Sequence, residues 1–113
     1  VVIGNNVSIN PYTILYGHGG LKIGNNTRIA AHVMVIPAEH NYEDRNTLIR
    51  LQQSNKQGIE IGEDVWIGAG AKILDGTRIE KGCVIGANAV LKGKTDPYGV
   101  YVGIPARKIK ERQ

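Results

Sequence analysis

The sequence predicts an all-β chain wound as a short three-sided column of about four coils, interrupted by one long loop. Three observations predict it: branched aliphatics recur at every sixth residue, Gly and Asn fall where the backbone must turn sharply, and large aromatic core residues are almost missing. The 113 residues include no Phe, one Trp and one Met, but 15 Gly. Glycine therefore makes up about 13% of the chain, nearly twice the roughly 7% average. A chain of this length forms at most one compact domain.

The aliphatic series runs Ile3, Ile9, Leu15, then Ile23, Ile29, Val35, then Ile61, Ile67, Ile73, Ile79, Ile85, Leu91. Four places after most of these stands a small or β-branched residue: Val7, Thr13, Thr27, Val33, Val65, Ala71, Thr77, Cys83, Ala89, Thr95. A period of six fits neither the 3.6 of an amphipathic helix nor a long alternation of two. It fits short strands joined by tight corners, where Gly or Asn takes φ > 0, and Asn5-Asn6 and Asn25-Asn26 read as such corners. Three hexads make one coil, and stacked coils pair as parallel strands about 4.8 Å apart. The aliphatics then ladder inward in a core too narrow for Phe.

Two places break the beat. Leu15 to Ile23 is one hexad plus two residues, and the excess falls in Gly17-His18-Gly19-Gly20. Val35 to Ile61 is four hexads plus two, with a polar insertion at 37–58 in which Leu48 to Gln53 suits a short helix. A loop of this length in a compact domain is usually functional or disordered. The segment 97–113 leaves the repeat, crosses back through Val102-Gly103-Ile104-Pro105, and reads as ending in a short helix over 106–113. The opening Val1-Val2-Ile3-Gly4 lacks Met and is already inside the pattern, which suggests a piece of a longer chain. So short a column exposes bare parallel sheets, which implies oligomerisation.

Charge is unevenly spread. Residues 1–91 carry eight Lys/Arg and eight Asp/Glu, whereas 92–113 carry six (Lys92, Lys94, Arg107, Lys108, Lys110, Arg112) against Asp96 and Glu111. The net +4 thus sits in the last 22 residues, either as a solvated tail or as a site for a phosphorylated ligand. No aromatics alternate with these cations, so nucleic acid is not an expected partner. No apolar run approaches the roughly 18 residues of a membrane span, so no membrane insertion is expected. The opening residues do not read as a leader, so secretion is not expected, and a single Cys suits a reducing cytoplasm.

Three motifs carry a resemblance. Ile61-Gly62-Glu63-Asp64-Val65-Trp66-Ile67-Gly68 resembles the "IG-x-x-VWIG" coil of the hexapeptide-repeat acyltransferases. Within that family the likeness is to the galactoside and maltose O-acetyltransferases and the sugar O-acetyltransferases of polysaccharide synthesis. Val84-Ile85-Gly86-Ala87-Asn88-Ala89-Val90 is similar to their "VIGAGSVV" coil, and Val102-Gly103-Ile104-Pro105-Ala106-Arg107-Lys108-Ile109 to their "aGvPAkvI" ending. The resemblance implies a left-handed parallel β-helix, a hand opposite to the usual rule for parallel crossovers. It also implies a homotrimer, acetyl-CoA as acyl donor, no metal, and a sugar or sugar-nucleotide acceptor that offers a hydroxyl or, on an amino sugar nucleotide, an amine.

The resemblance assigns residues as well. His40, in Ala38-Glu39-His40-Asn41-Tyr42, matches the catalytic His. An alcohol is a poor nucleophile at neutral pH and needs a base, and imidazole can take its proton there. Glu39, Asp44 or a backbone carbonyl could fix its tautomer. The backbone N–H of Ala69 matches the oxyanion donor. Asn10 matches an acceptor-side polar residue, its other reading being a corner Asn bonded to backbone. His18 marks an acceptor-side loop, and His32 reads as a residue on a coil face. Gly68 and Gly86 would leave room for the pantetheine arm, with Ala69 and Ala87 beside it. Trp66 would line that arm or pack at a subunit contact. Arg107 and Lys110 match phosphate-binding positions, with Lys92 and Lys94 nearby, although Lys92-Gly93 stands where relatives often have a Thr-Lys pair. Cys83 reads as core.

Two other functions fit the repeat. One is a non-catalytic scaffold or regulatory module. The other is a zinc hydrolyase of the carbonic-anhydrase-like type, which needs three ligands; the spacings of His18, His32 and His40 lack the close pair of that family.

Overall fold

The computed structural model describes all 113 residues, and its strands keep the six-residue beat. The first coil is β1 (Val2–Ile3), β2 (Ser8–Ile9) and β3 (Ile14–Leu15); the second is β4 (Leu21–Ile23), β5 (Arg28–Ile29) and β6 (Met34–Ile36). The insertion holds β7 (Glu39–His40) and β8 (Ser54–Asn55). The third coil is β9 (Ile59–Ile61), β10 (Trp66–Ile67) and β11 (Lys72–Leu74); the fourth is β12 (Arg78–Ile79), β13 (Val84–Ile85) and β14 (Val90–Leu91). Strands β15 (Gly99–Val102) and β16 (Arg107–Glu111) end the chain. Each coil gives one strand to each of three faces. The first face stacks β1-β4-β9-β12, the second β2-β5-β10-β13-β15-β16, and the third β3-β6-β11-β14.

The registers turn the aliphatic series into ladders. Ile3, Ile23, Ile61 and Ile79 align on the first face. Ile9, Ile29, Ile67, Ile85 and then Tyr101 align on the second. Leu15, Val35, Ile73 and Leu91 align on the third. From the second coil upward the nine aliphatics of the series are at most 3% exposed, whereas Ile3 and Ile9 are 45% and 40% exposed at the open lower end. Each fully buried rung contributes roughly 1.5–3 kcal/mol. The small residues beside the ladders are interior too. Buried hydroxyls find acceptors there: Thr27 Oγ1 donates to the Gly62 carbonyl (2.9 Å) and Thr77 Oγ1 to that of Leu74 (2.6 Å). A hydroxyl inside this narrow core thus avoids the cost of an unpaired polar group.

Three corners join the faces, and their left-handed residues differ in kind. The first corner uses Asn6, Asn26, Asp64, Gly82 and Tyr98; the second uses Tyr12, His32, Gly70 and Asn88. The third, where the insertion leaves and returns, uses only glycines: Gly19, Gly20, Gly58, Gly76 and Gly93. Crowding explains one of them, since a Cβ at Gly58 would lie 2.6 Å from the Gly19 carbonyl oxygen. His32, read from the sequence as a coil-face residue, is at a corner with φ 60°.

Two expectations are corrected. The C-terminal segment is not a helix: β16 runs antiparallel to β15, with Val102 opposite Arg107 and Gly99 opposite Glu111. The upper edge of the second face would otherwise leave the backbone groups of β15 unpaired, and the tail satisfies them by adding a strand. The insertion 37–58 is not an irregular loop throughout. Its ends pair as an antiparallel ribbon, Glu39 with Asn55 and His40 with Ser54, and Ile49–Leu51 makes a single 3₁₀ turn within the segment expected to be helical.

Candidate active site

The insertion presents His40 on an exposed two-strand ribbon at the third corner. Its imidazole makes no hydrogen bond within the chain, and both acidic candidates for orienting it are engaged elsewhere. Glu39 holds the Lys92 ammonium through both carboxylate oxygens, at 2.9 Å each. Asp44 accepts the Asn46 N–H (2.9 Å) and the Thr47 hydroxyl (2.7 Å), which lower its pKa. Sequence reading missed the residue that anchors the ribbon's return. Asp75, 2% exposed, accepts the N–H groups of Gln57 (3.0 Å) and Gly58 (2.8 Å). The signal was a charged residue at the end of a hexad whose neighbours are interior.

The second corner is a vertical row of backbone. The N–H groups of His32, Gly70 and Asn88 donate to the carbonyls of Pro11, Ala31 and Ala69 on the coil below, and the Val90 N–H donates to that of Gly103 above. Beside this ladder the N–H groups of Ala31, Ala69 and Ala87 have no acceptor, so the corner presents free donors one coil apart. The register of β15 with β16 brings Arg107 to the top of the same corner, opposite Val102. Among the six cations of the tail, four are paired: Lys92 with Glu39, Lys94 with Glu80, Lys108 with Asp96 and Glu111, and Arg112 with Asp64. The two carboxylates beside Lys108 push its pKa up. Arg107 and Lys110 are left without an acidic partner, and both are exposed.

Other predicted residues are placed as follows. Trp66 stands 57% exposed on the second face, above Arg28 and below Val84, over a cleft of about 260 Å³ that Arg112 and Asp64 also line. Gly68 is buried, and a Cβ there would meet the Ala87 nitrogen at 2.7 Å. Its smallness therefore serves the approach of the next coil; the expected reason, room for a ligand arm, is corrected. A Cβ at Gly86 would likewise meet Val102 Cγ1 at 2.8 Å. Asn10 donates its Nδ2 to the Ile29 carbonyl (2.8 Å), bracing the coil above. His18 stacks on Tyr16 (6.0 Å) at the third corner, and His32 on Tyr12 (5.0 Å) at the second. Cys83 is interior, its Sγ 3.2 Å from Thr95 Oγ1.

His40 and Ala69 do not meet within one chain. Ala69 enters the third face and His40 leaves it, so the width of that face separates them. Five residues of extended chain from Ala69 to Leu74 span on the order of 15 Å.

Comparison with known proteins agrees with this architecture. The profile of the family described as bacterial transferase hexapeptide (six repeats) matches residues 58–93. A Mycobacterium tuberculosis protein named as a probable acetyltransferase is 34% identical over 113 residues, which is all of this chain and 36% of that protein. An Escherichia coli protein named as a putative lipopolysaccharide-biosynthesis O-acetyltransferase is 29% identical over 98% of this chain and 60% of its own length. The chain thus spans between about a third and three fifths of these relatives. Among solved structures, a single-site variant of an N-acyltransferase from Bacillus cereus, bound to dTDP-4-amino-4,6-dideoxyglucose and coenzyme A, matches with a TM-score of 0.89. The identity there is 27%, covering 98% of this chain and 63% of that one. A maltose O-acetyltransferase from Clostridium difficile shares the fold, with a TM-score of 0.70. The six-residue ladders, the three parallel faces and these relatives identify the chain as a member of the hexapeptide-repeat transferase family, with the left-handed parallel β-helix as its fold.

Proposed function

We propose that this chain is the catalytic β-helix of a cytoplasmic O-acetyltransferase that moves an acetyl group from acetyl-CoA to a hydroxyl of a sugar or sugar nucleotide. The observation that carries the reading is the division of the site between two corners. His40 stands at one edge of the third face, and the Ala69 amide and the unpaired Arg107 stand at the other. A threefold assembly of columns brings the third corner of one copy against the second corner of the next, which completes the site between subunits. The relatives supply the chemical classes: the Bacillus cereus enzyme binds coenzyme A and a dTDP-sugar, and the Escherichia coli relative is named for O-acetyl transfer.

In this reading the coenzyme lies along the second corner of one copy. Arg107 and Lys110 attract its phosphates, and Trp66 and Ala87 flank its arm. His40 of the neighbouring copy removes the proton from the acceptor hydroxyl as that oxygen bonds to the thioester carbon. The charge that develops on the carbonyl oxygen is met by the Ala69 N–H, a donor already free and requiring no rearrangement. Collapse breaks the carbon–sulfur bond, and the imidazolium returns its proton to the departing thiolate. The products are the acetyl ester and coenzyme A, and no acyl-enzyme forms. Asn10 and His18 lie on the acceptor side. The test is thiol release from acetyl-CoA with a panel of sugars and sugar nucleotides. His40→Ala should lower turnover by about 10²–10⁴-fold, the usual contribution of a positioned base; an unchanged rate removes His40 from the mechanism. A non-catalytic scaffold would instead show no shift in melting temperature with acetyl-CoA, whereas an occupied site is stabilised by mass action.

A further inference from the structure

The second corner carries an aromatic pair that the transfer chemistry leaves unused. Tyr12 on the first coil and His32 on the second are stacked with ring centroids 5.0 Å apart and planes 12° from parallel. The separation is close to the coil spacing, so the rings lie one above the other along the column. Both side chains are exposed, Tyr12 by 78%. Both residues also occupy left-handed backbone, at φ 63° and 60°, a conformation that costs a bulky residue about 1–3 kcal/mol. The same corner two coils higher uses Gly70 and Asn88, the residue types that adopt this conformation readily. The fold therefore holds two exposed rings where smaller residues would suit it better, and it buries neither of them.

Their height gives the pair a use. The rung above His32 is Gly70, which follows Ala69, and it adds no side chain there; Asn88 Oδ1 leans into that space, 2.1 Å from where a Cβ would stand. Arg107 marks the opposite, upper end of the corner. A donor that descends from Arg107 to Ala69 leaves the lower two coils for the acceptor. We propose that Tyr12 and His32 form the acceptor shelf of the site, on which the apolar face of a pyranose ring lies about one coil below the Ala69 amide. Aromatic side chains offer rigid contact area of this kind at low entropic cost. The shelf determines acceptor affinity and leaves the donor untouched. This inference rests on the transfer reading given above.

The experiment uses the double variant Tyr12→Asn/His32→Asn in the full-length protein. Asn tolerates left-handed backbone, so the column keeps its fold, and its melting temperature stays level or rises. With acetyl-CoA and whichever of maltose or dTDP-4-amino-4,6-dideoxyglucose is turned over, the acceptor KM should rise about tenfold or more, the acetyl-CoA KM should hold within about twofold, and Tyr12→Phe should retain acceptor affinity. Calorimetric titration of the same sugars into His40→Ala protein, with and without the two Asn substitutions, reads the shelf in the absence of turnover. Weaker sugar binding in the substituted protein supports it. An unchanged acceptor KM or affinity overturns it, as does loss of the oligomer in sedimentation, which would make the rings a subunit contact. Turnover that survives His40→Ala overturns the transfer reading instead, and the titration still decides the shelf.

Discussion

Lys92, on the fourth coil, holds both carboxylate oxygens of Glu39 at 2.9 Å, and Glu39 immediately precedes His40. Successive residues of a strand point to opposite sides. With Glu39 turned toward its own column, His40 on β7 is turned away from it. The ion pair therefore aims the proposed base outward, toward where a neighbouring copy would stand.

If that is its role, Lys92→Ala should lower kcat several-fold while the melting temperature barely moves, because an exposed pair contributes only about 0–1 kcal/mol. The exchange Glu39→Lys/Lys92→Glu should recover kcat. A direct contact between Lys92 and coenzyme phosphate predicts otherwise: the acetyl-CoA KM would rise in Lys92→Ala and stay high in the exchange. Steady-state kinetics on the three proteins separates the two.

Asp75 anchors the far end of the same ribbon. Asp75→Ala leaves the N–H groups of Gln57 and Gly58 without their acceptor, and hydrogen bonds to a charged group contribute about 1.5–3 kcal/mol each. Chemical denaturation should show a loss of about 2–4 kcal/mol, and Asp75→Asn a smaller one. A loss below about 0.5 kcal/mol would mean that the ribbon is held by its other contacts.

Arg107 and Lys110 are the tail cations without acidic partners. Replacing either with Ala should raise the acetyl-CoA KM about three- to tenfold, with kcat and the acceptor KM unchanged. The effect should shrink at high salt, as screened charge attraction requires. Equal substitution of Lys94, which is paired with Glu80, should do little.

Asp44 makes the insertion sensitive to acid. Its hydrogen bonds with Thr47 and Asn46 hold the folded pKa below 3.8, so the carboxylate favours the folded turn at every pH above 3.8. That contribution fades as the pH drops below 3.8 through the lower folded value. The Asn46 amide resonance should follow this titration with a midpoint under 3.8, and in Asp44→Asn the transition should vanish. A midpoint above 3.8 would contradict the hydrogen-bonded turn.

The ladders were legible because each hexad writes its inward residue plainly. Ile67, Ile73 and Ile85 needed only counting, and Asn6 and Asn26 declared their corners through their tolerance of left-handed backbone. The terminal strand was not legible. Arg107 to Glu111 has weak local preference, and what decides it is the unpaired edge of β15, a tertiary fact. Gly68 was read as open space because a repeat does not reveal how closely the next coil approaches. The ribbon's partners were hidden for the same reason: Glu39 and Lys92 are 53 residues apart, and only the coiling brings them together.

If His40 is the base and Ala69 the amide of one shared site, their places at opposite margins of the third face have a consequence for how the protein behaves in a mixture. Dilution that dissociates the assembly should extinguish activity without unfolding any column. His40→Ala protein mixed with Arg107→Ala protein should, after subunit exchange and at acetyl-CoA well below its KM, turn over faster than the average of the two parents, since some hybrid junctions would inherit the intact half from each parent.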